Sequence, residues 1–177
     1  MQAAELAILN WIQVHLRCGL LDTMLPWVTH LCDHGEIWIL LAAMLLAIPK
    51  TRRAGACVAC ALVLDLLLCN LWLKPWVGRV RPFAVNPGIK LLITPPTDAS
   101  FPSGHTAASF AAVSALRMAR SPLRKPSLAL AAVIAFSRLY LYAHWPTDIL
   151  GGILVGTLAG WLGAKLVQAL EKKGEKH

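Results

Sequence analysis

Three short blocks carry the residues able to do chemistry: Lys74-x6-Arg81-Pro82, Pro102-Ser103-Gly104-His105, and Ser137-Arg138-x5-His144-x3-Asp148. Together they offer three cations, two histidines, a carboxylate and the start of a helix. Phosphoryl transfer asks for this set, because charge on the equatorial oxygens must be stabilised while nucleophile and leaving group stay in line. Lys74, Arg81 and Arg138 supply positive charge, and a planar guanidinium matches two phosphate oxygens at once. Ser103 and Gly104 open an apolar segment, so their backbone N–H groups are expected to be free and to form an anion site. Glycine there also lets an anion approach the backbone closely. Of two histidines, one can attack phosphorus while the other protonates the leaving oxygen. Asp148 lies four residues after His144. At a helix start near Pro146 it can hold one imidazole nitrogen and leave the other free.

These blocks need a scaffold, and the composition says which kind. Apolar residues make up 57% of the 177-residue chain and charged residues 15%, against about a quarter charged in a soluble domain. Five apolar segments approach the length of a membrane span, at 35–49, 54–73, 104–119, 127–143 and 148–168. Gly151, Gly152, Gly156 and Gly160 let helices pack closely. Residues 4–31 are interrupted by Gln13, His15, Arg17, Asp22 and His30. They predict one or two amphipathic interfacial helices, with a sixth span as the alternative. The expected fold is an all-α polytopic bundle of five or six spans. It is a single domain over 1–177, with interfacial helices at 1–34, a bundle at 35–170 and a polar tail at 171–177. The N-terminus lacks a basic signal-peptide region, so insertion is expected to rely on the spans themselves.

Charge placement orients the bundle. Lys50, Arg52, Arg53, Arg117, Arg120, Arg124, Lys125, Lys165, Lys172, Lys173 and Lys176 fall at one set of span ends. The positive-inside rule makes that side, with the C-terminus, cytoplasmic. Lys74, Arg79, Arg81, Lys90 and Arg138 fall on the other side, where topology disfavours cations and a phosphate site explains them. Trp38, Trp72, Trp76 and Trp145 sit there as an expected aromatic belt. The net charge of +8 is thus assigned to anionic lipid and a phosphorylated substrate, with no nucleic-acid partner expected.

The three blocks resemble the type 2 phosphatidic acid phosphatase family, which includes lipid diphosphate phosphatases and is related to vanadium haloperoxidases. Its signature, K-x6-RP, PSGH and SR-x5-H-x3-D, is met at every position between Lys74 and Asp148. The resemblance implies that His144 is the nucleophile, Asp148 its orienting partner and His105 the general acid. It further implies that Lys74, Arg81, Ser103, Gly104 and Arg138 bind the phosphoryl group, and that no metal or other cofactor takes part. The chain also lacks the cluster of outer carboxylates that would hold Mg²⁺. The expected function is hydrolysis of a lipid phosphate or diphosphate, undecaprenyl diphosphate first, at the outer face of a bacterial cytoplasmic membrane. Phosphatidylglycerol phosphate, phosphatidic acid and a lipid A phosphate are the alternatives. From other classes, a vanadate-dependent haloperoxidase is disfavoured by the spans, and a non-catalytic lipid carrier by the paired histidines. The residues carry no signal of oligomeric state.

The remaining polar residues carry smaller expectations. Cys57-x-x-Cys60 lies in an apolar run and is read as small hydrophobes. Asp65 and Asn70 are expected to bond across the bundle beneath the site. Arg79 and Lys90 are expected to attract a headgroup, and His15, His30 and His34 to lack partners.

Overall fold

The computed structural model describes residues 2–174. Its helices are α1 (Gln2–His15), α2 (Gly19–His30), α3 (Glu36–Ala47), α4 (Arg52–Asp65), α5 (Lys74–Val77), α6 (Pro82–Val85), α7 (Gly104–Met118), α8 (Arg124–Tyr140) and α9 (Pro146–Gly174). No strand occurs among the described residues. α4 passes into α5 through a π-helical stretch, Leu66–Leu73. Its wider turn keeps Asp65, Asn70 and Lys74 facing one cavity, which an α-helical 3.6-residue spacing would not do.

Each apolar segment of the sequence is a helix, but their lengths differ. Arg52–Val85 and Pro146–Gly174 are long and apolar enough to cross a bilayer, and Glu36–Ala47 is apolar but shorter. α7 has 15 residues and α8 has 17, or about 22 and 26 Å, against a hydrocarbon core of about 30 Å. Leu40, Met44, Leu67, Leu71, Leu150 and Leu154 all stand exposed on the outside of the bundle. Water would not tolerate such a surface, whereas lipid does.

α9 packs along α7 and α4, α3 lies on α4, and α8 lies on α7 and α2. The α7–α9 contact is set by missing side chains. A Cβ on Gly156 would stand 2.1 Å from the carbonyl oxygen of Ala107, and one on Gly160 would stand 2.4 Å from that of Ala111. Ala107, Ala111, Ala112 and Ala115 are buried along the facing surface. Arg53 pairs with Glu171 at 3.1 Å, so the start of α4 and the end of α9 share one end of the bundle. The three sequence blocks meet at the other.

Several expectations need correction. Trp38 and Trp145 are not belt residues: they are 1% and 0% exposed. Their indole N–H groups donate inside the protein, to Ser109 Oγ and to the Val80 carbonyl, each at 2.9 Å. Trp72 and Trp76 do stand exposed. The polar tail is helical as far as Gly174, because α9 does not stop at 170; residues 175–177 lie outside the described residues. All five cysteines are free.

Candidate active site

α4–α5, the 78–103 loop, the start of α7, the end of α8 and the start of α9 converge on one cavity of 1040 Å³. Lys74, Arg81, Gly104, His105, Arg138 and His144 line it. Ser103 and Asp148, both fully buried, stand behind its wall. The structure thus brings all eight predicted site residues to one end of the bundle.

His144 lies in the link between α8 and α9 and is 1% exposed. Its Nε2 is 3.2 Å from Arg81 Nη1. A guanidinium nitrogen only donates, so Nε2 presents its lone pair, and the neutral ring carries its proton on Nδ1. Nδ1 faces Asp148 Oδ2 at 3.5 Å, an approach too long for a hydrogen bond, and Nδ1 has no bonded partner. Asp148 is otherwise fully engaged. Oδ2 accepts from Ser100 Oγ at 2.5 Å and from the Trp145 N–H at 2.9 Å. Oδ1 accepts from Arg79 Nη1 at 2.6 Å. Burial holds His144 well below the ordinary imidazole value, and the charges of Arg81, Arg138 and Lys74 add to that. The imidazole is therefore neutral at pH 7, the form able to attack an electrophile.

The cations already hold an anion. Lys74 Nζ donates to Asp98 Oδ2, and Arg81 Nη2 donates to Asp98 Oδ1 at 2.7 Å. Burial raises the Asp98 carboxyl, but Lys74 and Arg81 outweigh it and bring it down to about 2. Asp98 is half-exposed, so it is free to turn outward. Arg138 is buried beside this pair; its Nη1 donates to Thr29 Oγ1 at 2.5 Å, and its Nε has no partner. A Cβ on Gly104 would lie 3.4 Å from Lys74 Nζ and 3.1 Å from Asn70 Oδ1, so glycine lets α7 begin against the cationic wall. One expectation fails here. The Ser103 N–H is not free, because it donates to the Asp148 carbonyl at 3.1 Å and so ties α7 to α9. Asp98→Asn removes the resident anion and is expected to lower the inhibition constant for vanadate about tenfold, one pKa-unit equivalent of competition. An unchanged constant in a phosphate-release assay would show that Asp98 does not compete.

The sequence reading missed the residues behind the first layer. Arg79 does not await a headgroup: it binds Asp148, Thr147 Oγ1 and Glu5 Oε2, each at 2.6 Å, and lies over the Trp145 ring. Burial raises Glu5, but bonds from Thr147 and Arg79 bring it below its ordinary value. His30 has a partner in Asp33, at 2.6 Å, and Asp33 also reaches His105 Nε2 at 3.1 Å. His34 meets Glu36 at 2.9 Å, and His15 the Trp11 carbonyl at 3.0 Å. Asp65 does not bond across the bundle: its Oδ1 is buried, unpartnered and on the cavity wall. The only sequence signal for Glu5, Asp33 and Asp98 is that they are acids in a chain poor in acids.

An all-helical bundle with exposed apolar helix faces, and with a cationic pocket and a buried neutral histidine at one end, has the form of an integral membrane protein whose pocket suits an anion. The chain belongs to the PAP2 superfamily, whose family model matches residues 54–172. It is 33% identical over 132 residues to an undecaprenyl-diphosphatase of Sulfolobus acidocaldarius, across 73% of this chain and 63% of that protein. It is 29% identical to the undecaprenyl-diphosphatase BcrC of Bacillus subtilis, across 81% of this chain and 74% of that one. Among solved structures, the PAP2-type phosphatidylglycerolphosphate phosphatase of Bacillus subtilis superposes with a TM-score of 0.74 at 25% identity, covering 97% of this chain and 86% of that one. Family members bear the names of phosphatases and diphosphatases, consistent with a hydrolase acting on phosphate esters.

Proposed function

We propose that this protein is an integral membrane lipid phosphatase that acts through a phosphohistidine on His144, with a polyprenyl diphosphate such as undecaprenyl diphosphate as its substrate. The observation that carries this reading is the continuity of the cavity. Below Lys74, Arg81 and His144 its wall runs on through Ile39, Ala42, Leu46, Ala59, Leu62 and Val63 of α3 and α4. A phosphate at the top and an apolar tail below fit one such space, and a soluble haloperoxidase substrate would have no use for the lower part.

In this reading His144 Nε2 attacks phosphorus while Lys74 and Arg81 leave Asp98 for the equatorial oxygens, joined there by Arg138. His105 gives a proton to the leaving oxygen, then takes one from the water that opens the phosphohistidine. The cations supply the charge that a metal would otherwise bring, so EDTA is expected to leave activity unchanged and vanadate to inhibit. His105→Ala is expected to slow an alkyl phosphomonoester about 10²–10⁴-fold and an activated aryl phosphate much less. Equal losses on both would remove the acid role.

The test of substrate is phosphate release by purified protein in detergent from undecaprenyl diphosphate, phosphatidylglycerol phosphate, phosphatidic acid and a lipid A phosphate. Preference for any of the last three would overturn the diphosphate assignment. The bundle has five spans, or six if an N-terminal helix also crosses, and the basic residues at the opposite end support a site on the extracytoplasmic side. In a cysteine-free background, a cysteine in the 83–100 loop is expected to react with an impermeant thiol reagent in intact cells. One beside Arg120 is expected to react only after permeabilisation, and the reverse pattern would invert the topology.

A further inference from the structure

The turn between α2 and α3 reaches the site although it lies outside residues 54–172, the part matched by the family model. Asp33 in that turn has one carboxylate oxygen 3.1 Å from His105 Nε2 and the other 2.6 Å from His30 Nδ1. His105 is 13% exposed at its side chain, and His30 is 53% exposed. The other charges acting on His105 are Arg138 of α8 and Lys74 of α5, both positive. The His105 backbone is tied as well, because its carbonyl accepts from Ser109 Oγ at 2.7 Å and from Cys32 Sγ at 3.8 Å.

We infer that Asp33 is a positioning residue for His105: its carboxylate fixes Nε2 and raises the proton affinity of the imidazole, so that Nδ1–H is the proton left for the leaving oxygen. This rests on the general-acid reading of His105 given above. A buried histidine between two cations loses its proton readily. Asp33 is the negative group that contacts it, and a carboxylate bonded to a histidine favours the imidazolium. Asp33 itself stays ionised, since the bonds from His105 and His30 hold its carboxyl far below the usual range against the opposing effect of burial. The proton balance closes within the cycle. His105 loses its proton to the leaving oxygen, regains one from the attacking water, and Asp33 changes neither charge nor protonation.

The test uses the full chain in detergent with farnesyl diphosphate, a short polyprenyl diphosphate, from pH 3 to 8. Wild type, Asp33→Asn, Asp33→Glu, His105→Ala and the Asp33→Asn/His105→Ala double variant are compared. Cleavage needs His105 protonated, so kcat falls as pH rises through its pKa. Removing the carboxylate loosens that proton, and the falling limb should move to lower pH. At pH 7.5 Asp33→Asn should lose about tenfold or more in kcat with KM within about twofold, part of the full general-acid contribution. Asp33→Glu should restore the limb, and Asp33→Asn should add no further loss in the His105→Ala background, as residues acting as a unit do. Should Asp33→Asn fail to fold, the limb position in Asp33→Glu and Asp33→Ser decides instead. A low His105→Ala activity with an unmoved limb in the Asp33 variants, or losses that multiply in the double variant, overturns the role of Asp33 alone. A His105→Ala enzyme that turns over like wild type overturns the general-acid reading beneath it.

Discussion

His144→Ala is expected to remove phosphate release altogether, by about 10⁴-fold or more, the scale seen when a nucleophile is deleted from a cooperating set. Its Nε2 lone pair points toward the cations of the cavity, and no second histidine is placed to replace it, since His105 is turned to Asp33. Burial and three neighbouring cations keep the ring neutral. The acid limb of the rate should therefore lie below the ordinary imidazole value of about 6.5, because protonation of His144 is what would silence it. The check is an acid-labile, base-stable phosphoenzyme trapped from labelled substrate, present in wild type and absent in His144→Ala. Asp148→Asn should retain substrate binding and lose most of kcat, because an amide no longer favours the proton on Nδ1. Near-normal turnover of His144→Ala would remove the phosphohistidine mechanism.

Gly156→Val is expected to prevent the native bundle from forming. Even the first atom of a side chain would lie 2.1 Å from the Ala107 carbonyl oxygen and 2.9 Å from its carbon. Those are backbone atoms of a helix, so no rotamer change relieves them. α7 and α9 would have to separate along their length. Overpacking of this kind costs about 1–3 kcal/mol where side chains can yield and more where they cannot, out of a total stability of about 5–15 kcal/mol. Separation would also pull the Ser103 N–H from the Asp148 carbonyl and spoil the site. Thermal unfolding in detergent and size-exclusion profiles measure the effect, with Gly174→Val as control, because no atom lies within 4 Å of a Cβ there. A Gly156→Val protein that melts with wild type would mean that these helices are not in such close contact.

The sequence makes the inner layer of the site legible and conceals the outer one, for a physical reason. Lys74, Arg81, His105, Arg138 and His144 sit at ends of apolar segments, and alternation of spans is enough to gather them on one side. Glu5 and Arg79, or Asp33 and His105, are more than seventy residues apart. Their pairing depends on where α1 and α2 dock, which the hydropathy of those helices does not specify. Trp38 and Trp145 were misplaced for a related reason: depth in a membrane is readable from the chain, but whether an indole faces lipid or a neighbouring helix is not. The π turns before Lys74 were equally invisible, although they bring Asp65 onto the cavity wall. Ser103 looked like a free helix start because nothing local reveals that a carbonyl from α9 occupies its N–H.

The carboxylate of Asp98 between Lys74 and Arg81 makes ligand binding an ion exchange. On the proposed function an incoming phosphate would not meet bare charge: it would replace a carboxylate, and the free energy of binding would be the difference between two sets of ion pairs. Under the proposed function the same exchange run backwards helps the product away, with Asp98 returning to the cations as inorganic phosphate departs. Between turnovers Lys74 and Arg81 keep a counter-ion at the rim of an apolar bundle, where unpaired charge would be costly. Affinity is given up for release, and the anion that permits it is carried by the chain itself.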